Sequence, residues 1–297
     1  MVSEFIIKDE DLARIKDKVV LVTGGSSGIG LATVELLVSL GARVAMGDRN
    51  PLPASLDSAG VFYQQLDVTS WESLLSIFKN VHEKWGRVDH VFANAGLSLT
   101  STFFDDEVDS DGNLTPPNFR TVNVNLLGVI STVRLAAHYI KKHGDGGSVV
   151  LTASGSSFQE FPVPDYTTAK HGVLGFQRSI IPHLKPFNIR VNSIAPSWTA
   201  TGLVPEELRV ALGDMMQGPE VVARSTANLM ADSSRDGQLI YSWQGRHMEI
   251  ERAEGGLLDH VRKLLGVEIG GTDGEKLEAA LKGSIPGVPV APHARIG

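Results

Sequence analysis

The chain has 297 residues, of which 42% are apolar and 21% charged, with a formal net charge of −7 and no cysteine. That balance supports burial of a large core and excludes a disordered chain, a disulfide-stapled fold, thiol catalysis and thiolate metal sites. The acidic balance offers no broad basic surface to phosphates, so neither nucleic acid nor an anionic membrane is an expected partner, and the length fits one α/β domain with extensions.

Residues 1–18 mix Glu4, Lys8, Asp9, Glu10, Asp11, Arg14 and Lys16 with a few apolar side chains, and read as a polar N-terminal extension without a signal-peptide apolar core. No later stretch reaches the roughly 18 uninterrupted apolar residues of a membrane span, so a cytoplasmic location is expected. Val19-Val20-Leu21-Val22 is an apolar run stopped by Thr23-Gly24-Gly25-Ser26-Ser27-Gly28, a buried strand entering a glycine turn. Residues 29–40 follow with helical spacing. Further strands are predicted at 43–47, 61–66, 88–93, 148–152, 189–194 and 238–241, and helices at 71–85, 119–142, 166–184 and 219–230. Continuous apolar strands imply burial on both faces, so residues 19–265 are expected to form a single Rossmann-like, doubly wound parallel sheet of about seven strands with helices on both faces. Residues 104–117 carry Asp105, Asp106, Glu107, Asp109 and Asp111 and read as a solvated loop. The spacing of Asp109, Asp111 and Asn113 lacks the closing Glu of a calcium loop, and no metal is expected. Residues 197–218 are predicted to form a substrate lid. Residues 266–297 form a tail with one short helical piece at 274–281, predicted to lie over a surface.

Gly24, Ser26, Ser27, Gly28, Ile29 and Gly30 lie where the first strand hands over to the first helix, a place where a pyrophosphate can sit on free backbone N–H groups and the positive helix end. A plain strand-to-helix turn would use glycines in the same way. Asp48 follows Gly30 by eighteen residues, at the end of the second strand, where a carboxylate can accept ribose hydroxyls and would repel a 2′-phosphate. NAD is therefore favoured over NADP, although Arg49 offers a phosphate partner should Asp48 turn away.

The Thr23-to-Gly30 turn, Asp67-Val68 after the third strand and Asn94-Ala95-Gly96 after the fourth, in that order, resemble the short-chain dehydrogenase/reductase family, and the likeness runs to about Tyr241. The resemblance implies an adenine-binding role for Asp67 and Val68 and a cofactor-binding role for Asn94, Ala95 and Gly96.

Tyr166 and Lys170 share one helix face, one turn apart, and Ser154 stands twelve residues before Tyr166 at a strand end. Oxidising a secondary alcohol needs a base at its hydroxyl while hydride leaves for the nicotinamide. A phenolate serves if its pKa falls by about 3 units, which the Lys170 ammonium and a positive nicotinamide ring are expected to supply together. Ser154 would hold the substrate oxygen and Lys170 also the nicotinamide ribose. The resemblance adds Asn125 as anchor of a water on the proton path from Lys170; a buried polar residue at a helix kink is the alternative. It also implies that the stretch from Arg190 to Thr201 carries Pro196 and the nicotinamide-carboxamide loop, with Thr199 acting through its backbone and Thr201 through its hydroxyl. Ser197 stands where the family usually has glycine.

Phe158, Phe161, Val163, Trp198, Leu203, Met215 and Met216 are expected to line an apolar pocket for a hydrophobic secondary alcohol or ketone, such as a terpenoid, polyketide or steroid-like molecule. The sequence after Tyr241 departs from the common family ending and is more similar to fungal secondary-metabolite dehydrogenases of the hydroxyaverantin dehydrogenase kind. Broadly apolar helices at 119–142 and 166–184 suit a homodimer or homotetramer, and the altered C-terminus speaks against the tetramer. Two other readings share the motifs: an isomerase or epimerase that retains NAD, and a non-catalytic binding protein, which would be expected to lack one of Ser154, Tyr166 and Lys170.

Overall fold

The computed structural model describes residues 3–56, 60–97 and 103–266. Strands β1 (Ser3–Phe5), β2 (Val19–Thr23), β3 (Arg43–Asp48), β4 (Phe62–Gln65), β5 (His90–Ala93), β6 (Gly147–Thr152), β7 (Ile189–Pro196), β8 (Leu239–Trp243) and β9 (Arg246–Glu249) make one nine-stranded sheet in the order β1-β9-β8-β7-β6-β5-β2-β3-β4. The strands from β8 to β4 run parallel, as the continuous apolar runs require, and β9 alone runs against them, pairing antiparallel with β8 on one side and β1 on the other.

The helices are α1 (Gly28–Ser39), α2 (Trp71–Trp85), α3 (Arg120–Val122), α4 (Val129–His143), α5 (Pro164–Leu184), α6 (Glu206–Leu212), α7 (Pro219–Ala231) and α8 (Leu257–Leu265). Alternation along β2 explains the two layers. Val19 and Leu21 face a core shared with Leu74, Ile77 and Phe78 of α2, Val133 and Ile140 of α4 and Val173 of α5. Val20 and Val22 face the opposite core with Val34 and Leu37 of α1 and Val222 and Leu229 of α7. All four of these side chains are fully buried, and the polar Thr23 that ends the strand donates its hydroxyl to the Phe92 carbonyl at 3.4 Å. Because β3 and β5 flank β2 on opposite sides, the chain reverses direction across the sheet there, opening a crevice at the carboxyl ends of the strands.

Two elements differ from the sequence expectation. The lead-in is no separate extension: Ser3, Glu4 and Phe5 pair with Glu249, Met248 and His247, and Arg246 forms an ion pair with Glu4. The helix predicted over 119–142 passes through a π-helical segment, Asn123–Gly128, where a Cβ on Gly128 would come within 2.8 Å of Val68. The acidic loop holds a tight turn in which Asp109 accepts the N–H groups of Asp111 and Asn113, each at 2.9 Å. The predicted helical piece at 274–281 lies outside the described residues.

Beyond β9 the chain turns on one carboxylate. Glu249, 4% exposed, accepts the backbone N–H groups of Glu251 at 2.8 Å, of Arg252 at 3.0 Å and of Ala253. Removing the acceptor leaves these donors unpaired at a buried site. Glu249→Ala is expected to destabilise the fold by about 3 kcal/mol without moving the parallel strands, read as a lowered urea midpoint at unchanged m-value.

Candidate active site

The crevice is a cavity of about 820 Å³ that runs from the glycine turn to the start of α5. At one end Gly24 and Gly28 have φ values of 70° and 53°, which side chains rarely adopt. Gly30 is required for closeness: a Cβ there would strike the Gly24 carbonyl and come within 2.8 Å of Asn94 Nδ2. No side chain caps α1 at Ser27, and Ser27, Gly28 and Ile29 line the cavity, so the first N–H groups of the helix stand beside it.

Asp48 is held in place at the end of β3. Its Oδ2 accepts Ser26 N–H at 3.0 Å and its Oδ1 accepts Asn50 N–H at 2.9 Å. Asp48, Arg49, Asp67 and Val68 all line the cavity. Asp67 receives the N–H and hydroxyl of Thr69, and these bonds, helped by Arg49 and Arg120, hold its carboxyl below the usual range. Asn94, Ala95 and Gly96 also line the cavity; Asn94 Nδ2 donates to the carbonyls of Thr23 at 3.2 Å and Gly24 at 3.1 Å, while its Oδ1 accepts the Thr152 hydroxyl at 3.1 Å.

Ser154, Tyr166 and Lys170 meet at the other end. Ser154 ends the segment after β6, with its N–H bonded to Ser157 Oγ at 3.1 Å, and Ser157 in turn donates to the Lys170 carbonyl at 2.8 Å, which locks the serine loop to α5. Lys170 Nζ donates to the Thr152 carbonyl at 2.7 Å and lies 5.7 Å from the Tyr166 ring centre. Burial brings Lys170 down to about 8. Burial also pushes the Tyr166 phenol up, and the Ser154 hydrogen bond opposes it. The protein groups alone thus leave the phenol neutral: of the two cations expected to pull it down together, Lys170 is itself desolvated, and the positive ring belongs to the cofactor. Asn125, fully buried in the π segment, accepts Leu97 N–H at 2.7 Å and lines the cavity.

Pro196, Thr199 and Thr201 lie along the cavity wall. The Thr199 hydroxyl donates to the Ser197 carbonyl at 2.9 Å and accepts Gln217 Nε2 at 3.2 Å, so its proton is committed and its backbone N–H is the donor left for another partner. Thr201 packs against Gly28, joining the segment after β7 to the glycine turn. Ser197 does not have a positive φ, so a side chain there carries no strain.

Of the expected apolar set, Phe161, Trp198 and Leu203 line the cavity, together with Val204. Phe161 stands 5.9 Å from Trp198 and 6.4 Å from Tyr166 between ring centres. Four residues of that set are elsewhere. Phe158 packs edge-on against Tyr241 and joins the core, Val163 precedes the first turn of α5, and Met215 and Met216 follow α6 in a turn that leaves Met215 48% exposed. Sequence reasoning missed Leu97, Arg120, Gln159 and Tyr241 on the wall. Tyr241 could have been found from its place at the carboxyl end of a predicted strand; the others sit in loops or at a helix start without a pattern.

The buried lysine makes a checkable electrostatic difference. Its pKa is about 8 in the folded chain against 10.5 for an ordinary lysine, so between these values the unfolded chain holds a proton that the folded one has lost. Stability from this group therefore rises with pH across that window and is constant below it. Lys170→Met should abolish a gain on the order of 3 kcal/mol between pH 7.5 and 10.5, read from urea midpoints of the two proteins.

Residues 18–209 match the family model described as short chain dehydrogenase. The chain is 45% identical over 270 residues to the short-chain dehydrogenase/reductase ascJ of Acremonium egyptiacum, covering 89% of this chain and 90% of that protein. It is 39% identical to the short-chain dehydrogenase/reductase prx4 of Penicillium rubens, over 68% of this chain and 60% of that one. Among solved structures, levodione reductase superposes with a TM-score of 0.66, with 25% identity over 77% of this chain and 97% of that one. With these motifs in order around one crevice, the chain belongs to the short-chain dehydrogenase/reductase family of NAD(P)-dependent oxidoreductases.

Proposed function

We propose that the protein is an NAD-dependent dehydrogenase or reductase acting on a hydrophobic secondary alcohol or its ketone, in fungal secondary metabolism, with Tyr166 as the general acid/base. The observation that carries this reading is the convergence of Ser154, Tyr166 and Lys170 on one end of a cavity whose other end is the glycine turn. The residues present fit a dinucleotide: a Cβ at Gly28 would close the cradle to 3.0 Å from Thr201, and the uncapped start of α1 offers amide donors to a pyrophosphate. Gly24, Ser26, Ser27, Gly28, Ile29 and Gly30 would form the phosphate turn, Asp48 would hold the ribose, Asp67 and Val68 the adenine, Asn94, Ala95 and Gly96 the floor, and Pro196, Thr199 and Thr201 the nicotinamide end. When bound, NAD supplies the hydride acceptor and a positive ring.

The preference for NAD rests on Asp48. Two backbone N–H groups fix its carboxylate, so it cannot swing aside to let Arg49 take a 2′-phosphate. Ser154 donates to an oxygen at the phenol, and Tyr166 takes or returns the proton of that oxygen. Lys170, on the same face of α5, stabilises the phenolate once the phenol has given up its proton, and Asn125 holds the π segment at the inner end of the same path. Phe161, Trp198, Leu203 and Val204 present an apolar wall that suits a rigid hydrophobic substrate.

Two variants test the reading. Tyr166→Phe should lower turnover of hydrophobic secondary alcohols by two orders of magnitude or more, followed as absorbance of reduced cofactor, while calorimetric affinity for NADH stays within about twofold. Turnover that survives the change removes Tyr166 from the reaction, and an isomer formed without net NADH would make the enzyme redox-neutral. Asp48→Ala should weaken NAD binding about tenfold and narrow its advantage over NADP, measured as the two dissociation constants.

A further inference from the structure

The lid leaves the sheet at the end of β7 and returns just before α7, and one buried side chain joins its two limbs. Gln217 N–H donates to the Trp198 carbonyl at 2.9 Å, and Ala200 N–H donates to the Gln217 carbonyl at 2.8 Å, a parallel bridge between Thr199 and Gln217. Beneath it the Gln217 side chain, 5% exposed, uses Nε2 twice: toward Thr199 Oγ1 at 3.2 Å and toward the Ser242 carbonyl of β8 at 2.9 Å. The same Ser242 carbonyl accepts Ser197 N–H at 2.9 Å. Outgoing limb, returning limb and sheet edge thus share one amide.

That amide is a poor choice for stability alone. Gln217 Oε1 is buried without a hydrogen-bond partner among the described residues, a condition that costs about 1–3 kcal/mol. A methionine fills nearly the same volume without the orphaned oxygen. What a methionine cannot do is hold Thr199. With its hydroxyl bonded on one side to Gln217 and on the other to Ser197, Thr199 has a fixed rotamer. Its own N–H and C=O take no part in the bridge to Gln217, and the residue lines the cavity beside Pro196 and Trp198.

We infer that Gln217 is a positioning residue for the cofactor: through Thr199 it fixes the main chain at the nicotinamide end of the cavity. The inference rests on the reading of that end given above. It concerns only the nicotinamide half, because the glycine turn and Asp48 lie on other elements and make no bond to Gln217.

The test compares NADH with ADP-ribose, which lacks the nicotinamide, by calorimetry on the full chain. Gln217→Met keeps the backbone bridge and removes both side-chain donors. It should weaken NADH about tenfold and leave ADP-ribose within about twofold. Thr199→Val should give the same loss, and the double variant no more than either single one, as expected of two residues acting in series. Undiminished NADH binding by Gln217→Met overturns the inference, as does an equal loss for NADH and ADP-ribose, which would mark a general structural role. A wild-type chain that binds ADP-ribose but not NADH overturns the reading of the nicotinamide end and this inference with it, whereas wild-type NADH binding with an unaffected variant overturns the inference alone.

Discussion

The site depends on a single amide at the carboxyl edge of the sheet. Asn94 donates to the carbonyls of Thr23 and Gly24 and accepts the hydroxyl of Thr152, while its own N–H rests on Thr23 Oγ1 at 3.0 Å. It therefore sews β2, β5 and β6 together at the point where the strand order reverses. Each bond has a functional neighbour: Gly24 begins the glycine turn, and Thr152 carries the carbonyl that holds Lys170. Parallel strands alone would leave these ends to splay, because ladder bonds stop where the strands stop. A side chain with both donor and acceptor functions closes the edge, and the spacing between the two ends of the cavity follows from it.

A second theme is desolvation. Lys170 is buried and Tyr166 half-buried, and loss of water disfavours the charged form of each, lowering the amine and raising the phenol. The two groups, nearly equal in proton affinity in water, are thus driven apart, the amine falling below the phenol. Under the function proposed above, a further positive charge placed in the cavity would favour the phenolate, so proton transfer would depend on the oxidised cofactor being bound.

Much of this was legible in the residues. Uninterrupted apolar runs such as Val19 to Val22 gave away the parallel strands because burial on both faces leaves no room for alternation. The glycine turn and the Ser154, Tyr166 and Lys170 set were readable because chemistry fixes their spacing on adjoining elements. Other features had no local signal. Ser3-Glu4-Phe5 is three residues with one apolar side chain, and becomes a strand only because β9 offers an edge. The π segment around Asn125 keeps nearly the helical period, so the apolar spacing does not betray it. Met215 and Met216 looked like pocket residues by hydrophobicity, yet the short turn Gly213–Met215 carries them away from the cavity. The direction of the Tyr166 shift could not be read either, since it reflects how much surrounding chain excludes water.

The edge strand bears on the order in which the molecule is completed. Glu4 meets Arg246 across 242 residues of sequence, among the most distant contacts available to this chain. During synthesis the first residues emerge long before their partner exists, and the parallel strands between them can already associate. The outermost seam is consequently the last to zip, and until residue 249 has left the ribosome the β8 flank stays an open template for stray strand pairing.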